Sequence, residues 1–182
     1  MPRELFILSR EKERAAIDRA IGDPLKRKYP YLMVDAVWMV RDTGMVTEAE
    51  LAPIRAAFLE RDPDIWRRAG GWLAKLVEFS NEVTGVVDEL ASHPDEAVRY
   101  RLCASLMDPR FPDVLIRQRL RKLLTDPSQM VREMTVTVCL KRPNQKLIPA
   151  LEAARDVETL PELRQRLAMA ITLIKGEPYY LA

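Results

Sequence analysis

Side chains able to do chemistry are few: one histidine, two cysteines, six glycines and 27 carboxylates in 182 residues. His93 has no second histidine with which to build a metal site. Cys103 and Cys139 lack the C-x-x-C spacing of a zinc or redox centre, and both sit in apolar helical text as small buried hydrophobes would. The glycines form none of G-x-x-x-x-G-K-[ST], G-x-G-x-x-G or G-x-S-x-G, so no phosphate-cradling loop or nucleophile elbow is written here. Asp62 and Asp64 flank Pro63 as a carboxylate pair. The same pattern is what a helix start asks for, because carboxylates favour the positive end of the helix dipole. No catalytic residue, metal ligand or cofactor site is assigned, and the chain reads as non-enzymatic.

Composition narrows the remaining classes. With 48% hydrophobic and 31% charged residues, the chain is neither a disordered polyelectrolyte nor a membrane protein. The N-terminal apolar run, FILS, spans four residues before charges interrupt it and carries no cleavage pattern, so a cytoplasmic location is expected. Net charge is +2 but unevenly spread. Residues 1–30 carry +3, residues 31–109 carry −6 and residues 110–142 carry +5, the last including the run RQRLRK with Arg117, Arg119, Arg121 and Lys122. Such blocks are read as solvated helix faces.

The elements that position these residues follow from a repeat. Trp66-Arg67, Val98-Arg99, Val131-Arg132 and Leu163-Arg164 recur at spacings of 32, 33 and 32 residues, each after a proline-containing turn: DPDIWR, HPDEAVR, DPSQMVR and LPELR. Self-similarity at this period marks a solenoid of helix pairs. Val83, Val86, Val87 and Leu90, then Val98, Leu102 and Leu106, trace the two helices of one unit. Proline suits a helix's first turn and cannot continue the helix before it. Asp62, Asp95, Asp126 and Ser128 are available as caps. Thr47 and Glu50 have the capping-box form, with Pro53 either bending the following helix or moving its start toward residue 52. Upstream, SREKERAAIDRAIG and YPYLMVDAVWMVRDTG read as two further helices, with Gly22 and Gly44 placed for left-handed C-caps.

The stretches LASHPDEAVRYRLCASL and LLTDPSQMVREMTVTVCL resemble the HEAT family of helical repeats in its short bacterial form. The expected fold class is all-α, a right-handed α-solenoid of HEAT-like helix pairs with an atypical N-terminal helical cap. One domain is expected over residues 1–182: capping helices over 1–45, about four repeats over 46–175 and a tail over 176–182. The resemblance implies that second helices line a concave surface. It also implies that Arg67, Arg99, Arg132 and Arg164 are structural, each pairing with an acidic turn residue of a neighbouring unit.

Function is then sought among the residues that do not recur. One position past each repeat arginine stand Arg68, Tyr100, Glu133 and Gln165; four further on stand Trp72, Ala104, Thr137 and Met169, on the same helix face. Trp72 is also a core candidate, and Trp66, at the place of Val98, more so. The varied chemistry suits an irregular protein surface, and Trp, Tyr and Arg are hot-spot types. The expected function is a protein–protein interaction scaffold or adaptor that binds an unidentified protein partner on the concave strip. Two alternatives stand beside it. One is nucleic-acid binding, or an activity like that of the alkylpurine DNA glycosylases built of HEAT-like repeats, with Trp66, Trp72, Arg67, Arg68 and Asp64 as a loose analogue; the acidic stretch 31–109 disfavours it. The other is a small immunity or inhibitor protein. Neither membrane binding nor a cofactor is expected, and oligomeric state is open.

Overall fold

Prolines and carboxylates set where the helices begin. The computed structural model of the protein describes residues 10–80 and 83–176, and among these residues the chain is helical without strands. The ten helices are α1 (Arg10–Ala20), α2 (Lys28–Thr43), α3 (Glu48–Leu59), α4 (Pro63–Phe79), α5 (Val83–Ala91), α6 (Glu96–Ser105), α7 (Asp113–Leu123), α8 (Gln129–Lys141), α9 (Ile148–Val157) and α10 (Pro161–Lys175). Short 3-10 turns, Pro24–Arg27 and Gln145–Leu147, precede α2 and α9. The all-α class and the helix pairs expected from the repeat are what form. The FILS run and the tail from residue 177 lie outside the described residues.

Asp62 caps α4 by accepting the Asp64 N–H at 2.9 Å, and Asp95 caps α6 by accepting the Ala97 N–H at 2.8 Å. At the start of α8 the roles divide: Ser128 holds the cap position without a side-chain bond, while the Asp126 carboxylate accepts the Ser128 N–H at 2.9 Å. The Thr47–Glu50 box forms, with Thr47 N–H donating to Glu50 Oε2 at 2.7 Å. Thus α3 starts at Glu48 and runs through Pro53, giving up one intrahelical hydrogen bond there. Gly44 closes α2 in the left-handed region at φ 69° and donates to the Val40 carbonyl. Gly22 is not left-handed. The chain reverses after α1 through the turn at Asp23, whose carboxylate accepts the Leu25 N–H at 2.9 Å, so no left-handed residue is needed.

Packing clusters into two compact units, Met1–Val86 and Val87–Ala182. In the first, α2 packs on both α3 and α4, and α1 packs on α2. Buried Ile17, Ile21 and Val34 form a cluster against which Tyr31, Trp38 and Trp72 pack. Glu13 accepts from Trp38 Nε1 and from Lys75 Nζ, both at 3.0 Å, and Lys75 lies 3.9 Å from the Trp72 ring centroid. Arg10 and Arg14 both pair with Asp35 at 2.6 Å. These contacts fasten α1 to α2 and α4.

In the second unit α6 packs on α8, α8 on α10, α7 on α8, and α9 on α10. The second helices therefore form a layer of their own, α6–α8–α10. Its floor is buried in register at Val98 and Leu102, Val131 and Thr135, and Leu163 and Leu167, the one polar member, Thr135, being satisfied by donating to the Val131 carbonyl at 2.7 Å. A fully buried Val or Leu side chain contributes about 1.5–3 kcal/mol.

Candidate functional site

Helix starts give the true register of the repeat. Ile65, Val98, Val131 and Leu163 are each the third residue of their helix and each buried. The fourth residues are Trp66, Arg99, Arg132 and Arg164. Arg99 Nε and Nη2 clasp Asp126 at 2.7 and 2.8 Å, while Nη1 donates to the carbonyls of His93 and Pro94 at 2.7 and 3.0 Å. Arg132 repeats the arrangement: it clasps Glu158 at 2.8 and 3.1 Å and donates to the Asp126 and Pro127 carbonyls at 2.9 and 3.2 Å. Arg164 donates to the Glu158 carbonyl through Nε at 3.0 Å and also through Nη2. Each arginine thus closes its own turn, and Arg99 and Arg132 also tie in the next one. Bidentate geometry of this kind is a property of arginine that lysine cannot copy.

The first period departs from the expectation. Arg67 lies one residue beyond the arginine position, is exposed, and stacks over Trp66 with 5.3 Å to the ring centroid. Trp66 occupies the arginine position and is half-buried; the core position before it belongs to Ile65. The Trp66-Arg67 dipeptide sits one residue off the register of the other three pairs, because Ile65 and Trp66 are both apolar and only the helix start separates them. In the same register His93 stands where Asp126 and Glu158 stand. The arginine and acid positions therefore both change type at this step.

The shift moves the strip. The true counterpart of Tyr100 in α4 is Arg67, and that of Ala104 is Gly71. Arg68 is half-buried, its Nε buried without a hydrogen-bond partner. Trp72 is half-buried against the α1–α2 cluster. In the second unit Tyr100, Glu133, Thr137 and Met169 are half-buried and Gln165 is exposed. Glu133 accepts from Gln129 Nε2 at 2.8 Å, and Thr137 Oγ1 accepts from Arg166 Nη2 at 2.9 Å, which links α8 to α10. The Tyr100 hydroxyl and the Gln165 carboxamide have no partner among the described residues.

Acid exposes how the turns are held. Hydrogen bonding from Arg132, against the opposing effect of burial, holds the Glu158 carboxyl below its ordinary value of 4.5. A depressed native value means stability that is fully present above the unfolded value and lost as pH falls through the native one. Wild type is therefore expected to exceed Glu158→Gln in thermal stability at pH 7, and the gap is expected to close on acidification below about pH 4. Melting both proteins from pH 7 to pH 3 checks this; a gap constant across the range would refute it.

A second feature was not anticipated. An open cleft of about 410 Å³ is lined by Ala91, Ser92, His93 and Pro94 of one turn, Thr125, Asp126 and Pro127 of the next, and Arg99 and Lys122. Its residues were visible separately, as turn prolines, a lone histidine and the end of a basic run, but nothing in the sequence joined them. Burial pushes the Cys103 and Cys139 thiols up to about 12, as suits core residues rather than nucleophiles. Among the described residues no group of three or more His, Cys, Asp or Glu could hold a metal ion, and no helix is long and apolar enough to cross a membrane.

Residues 83–172 match the family model described as HEAT repeats. No curated protein and no solved structure matches the chain.

Proposed function

We propose, on the premise that residues 83–172 belong to the HEAT-repeat family, that this protein is a scaffold or adaptor that docks a protein partner on the α6–α8–α10 layer. HEAT repeats commonly mediate protein–protein interaction and are generally non-catalytic. The observation that carries the reading is a division of labour. The recurring arginines are consumed by turns and carboxylates, whereas the next residue along, Tyr100, Glu133 or Gln165, differs in every repeat and has polar capacity left over. An aromatic hydroxyl, a carboxylate and a carboxamide in sequence recognise an irregular surface, not a uniform phosphate chain. Ala104 and Met169 add small and adaptable apolar contact beside them.

Site-specific photo-crosslinking in cells tests it. A photoreactive residue at Tyr100 or Gln165 is expected to capture one discrete protein, and the same residue at Gln118, on first helix α7, is expected to capture none of it. Equal capture from both helices, or capture from Gln118 alone, would put the surface elsewhere. Arg67, Arg68 and Trp72 belong to the first unit and form no part of this test.

A further inference from the structure

The cleft between the turns of α5–α6 and α7–α8 has an imbalance of hydrogen-bonding groups that goes beyond the proposed docking layer. Lys122 Nζ donates to Ser92 Oγ at 2.5 Å. An ammonium has three donors, so two remain, and no carboxylate pairs with Lys122 among the described residues. His93 Nδ1 accepts the Asp95 N–H at 3.1 Å. In the neutral ring this places the proton on Nε2, as a donor without a partner among the described residues. The acceptors are largely spent. Asp126 Oδ1 takes Arg99 and Ser128, Oδ2 takes Arg99, and Ser92 Oγ, which itself donates to the Asp88 carbonyl at 2.8 Å, takes Lys122. A space rich in donors and poor in acceptors is filled best by a group that only accepts.

Charge on the adjoining helix points the same way. Along α7, Arg119 is buried and pairs with Asp88 at 2.6 Å, so it is not available. Arg117 has no partner among the described residues, and Arg121 donates to the Lys146 carbonyl at 3.2 Å. Among the described residues neither pairs with a carboxylate. Of these cations Lys122 alone reaches the cleft, toward Ser92, while Arg121 turns to the following turn, so Arg117 and Arg121 add positive field from the same helix and not contacts within the cleft. At the 32-residue spacing that separates this repeat from the next, the place of Lys122 falls to buried Ala154, and the cation beside it, Arg155, pairs with its neighbour Asp156 at 2.8 Å. The unneutralised cation belongs to this gap between repeats and not to the next one.

We propose that the cleft binds an acidic side chain of a partner polypeptide, its acid oxygens accepting from Lys122 Nζ and His93 Nε2 while Arg117 and Arg121 steer the flanking acidic residues. A polypeptide fits better than a duplex. The three cations span about 7–8 Å of helix at 1.5 Å per residue, too short a track for the six to ten phosphate contacts that hold a typical DNA-binding protein. The cleft walls also include Ala91, Pro94 and Pro127, which suit a chain carrying apolar groups between its charges. The cleft shares Arg99 with α6, but neither Tyr100 nor Gln165 lines it, so this site and the docking surface can fail independently.

The test is fluorescence anisotropy of a labelled ten-residue poly-glutamate peptide on the full chain, at about 50 and 300 mM salt. Saturable binding that weakens at the higher salt is expected. Lys122→Gln is expected to weaken it about tenfold, the size of one charge-assisted contact, and Arg117→Gln less. Arg155→Gln is expected to change it under twofold. Lys122 is exposed, and unchanged ellipticity of Lys122→Gln confirms an intact fold. Equal effects of Lys122→Gln and Arg155→Gln would reduce the binding to general charge and overturn the site. So would absence of binding at low salt, or tighter binding of a 20-base-pair duplex than of the peptide.

Discussion

Arg99→Ala is expected to destabilise the second unit by about 3–5 kcal/mol, the cost of removing one partner from a buried ion pair. The side chains of Arg99 and Asp126 are 11% and 5% exposed. Deleting the guanidinium leaves the buried Asp126 carboxylate in the cleft wall without its counter-ion, and the His93 and Pro94 carbonyls without their donor. Against a urea slope of about 2 kcal/mol per molar, the midpoint should fall by roughly 2 M. The readout matters, because Trp38, Trp66 and Trp72 all lie within residues 1–86. Ellipticity follows both units while tryptophan fluorescence follows the first, so the loss should be read in ellipticity. Arg99→Lys should recover little, since an ammonium cannot hold both carboxylate oxygens and two carbonyls in one plane. Arg99→Ala combined with Asp126→Ala should be less destabilised than the sum of the two singles, because no charge is then left unpaired. Additive losses would mean that the pair is not coupled.

The arginine position was legible because it obeys two constraints at once. A buried apolar residue must come third in the helix, and a long cation must follow to reach back to its own turn. Val98-Arg99 and Val131-Arg132 announce themselves by period, and the family resemblance implies an acidic partner. Which acid was less visible. Its sequence position marks Asp126 only as a cap, and it serves the Ser128 N–H as well as Arg99. Glu158 was not singled out, since ETLPELR separates its acid from the proline that marks the other turns. The first period misled for a physical reason: Ile65-Trp66-Arg67 contains two apolar residues before the arginine, and only the Asp62 cap decides which one faces the core.

The basic run shows the complementary limit. Sequence counts charges but not their partners. Of the cations between 110 and 142, Arg110 pairs with Asp108, Arg119 with Asp88, Arg132 with Glu158 and Arg142 with Asp113. Much of the apparent +5 is spent inside the fold. What is left on α7 is Arg117, Arg121 and Lys122, and the relation of Lys122 to His93 and Ser92 arises only when two turns 33 residues apart are brought together. Trp72 is a similar case. Helical spacing allowed it to face a partner, and the cover supplied by α1 and α2 could not be read from its own helix.

Phe111→Ala is the other change expected to exceed 3 kcal/mol, and it asks what holds the connection between adjacent repeats. The loop from Leu106 to Pro112 is gripped in two ways. Arg142 donates to the Leu106, Asp108 and Phe111 carbonyls at 3.3, 2.7 and 3.2 Å and to Asp113 at 2.8 Å. Phe111 itself is 1% exposed, an aromatic anchor supplied by a segment with no helix of its own. Truncating a buried Phe to Ala costs about 3–5 kcal/mol, from lost transfer energy and the cavity left behind. Arg142→Ala should cost less, about 1–3 kcal/mol, because the part-exposed carbonyls it frees can turn to water. The expected order in urea is therefore wild type, then Arg142→Ala, then Phe111→Ala, with Phe111→Leu recovering most of the aromatic's contribution. A reversed order would show that the loop is fixed by its polar clamp, and that the ring is buried as a consequence of that clamp.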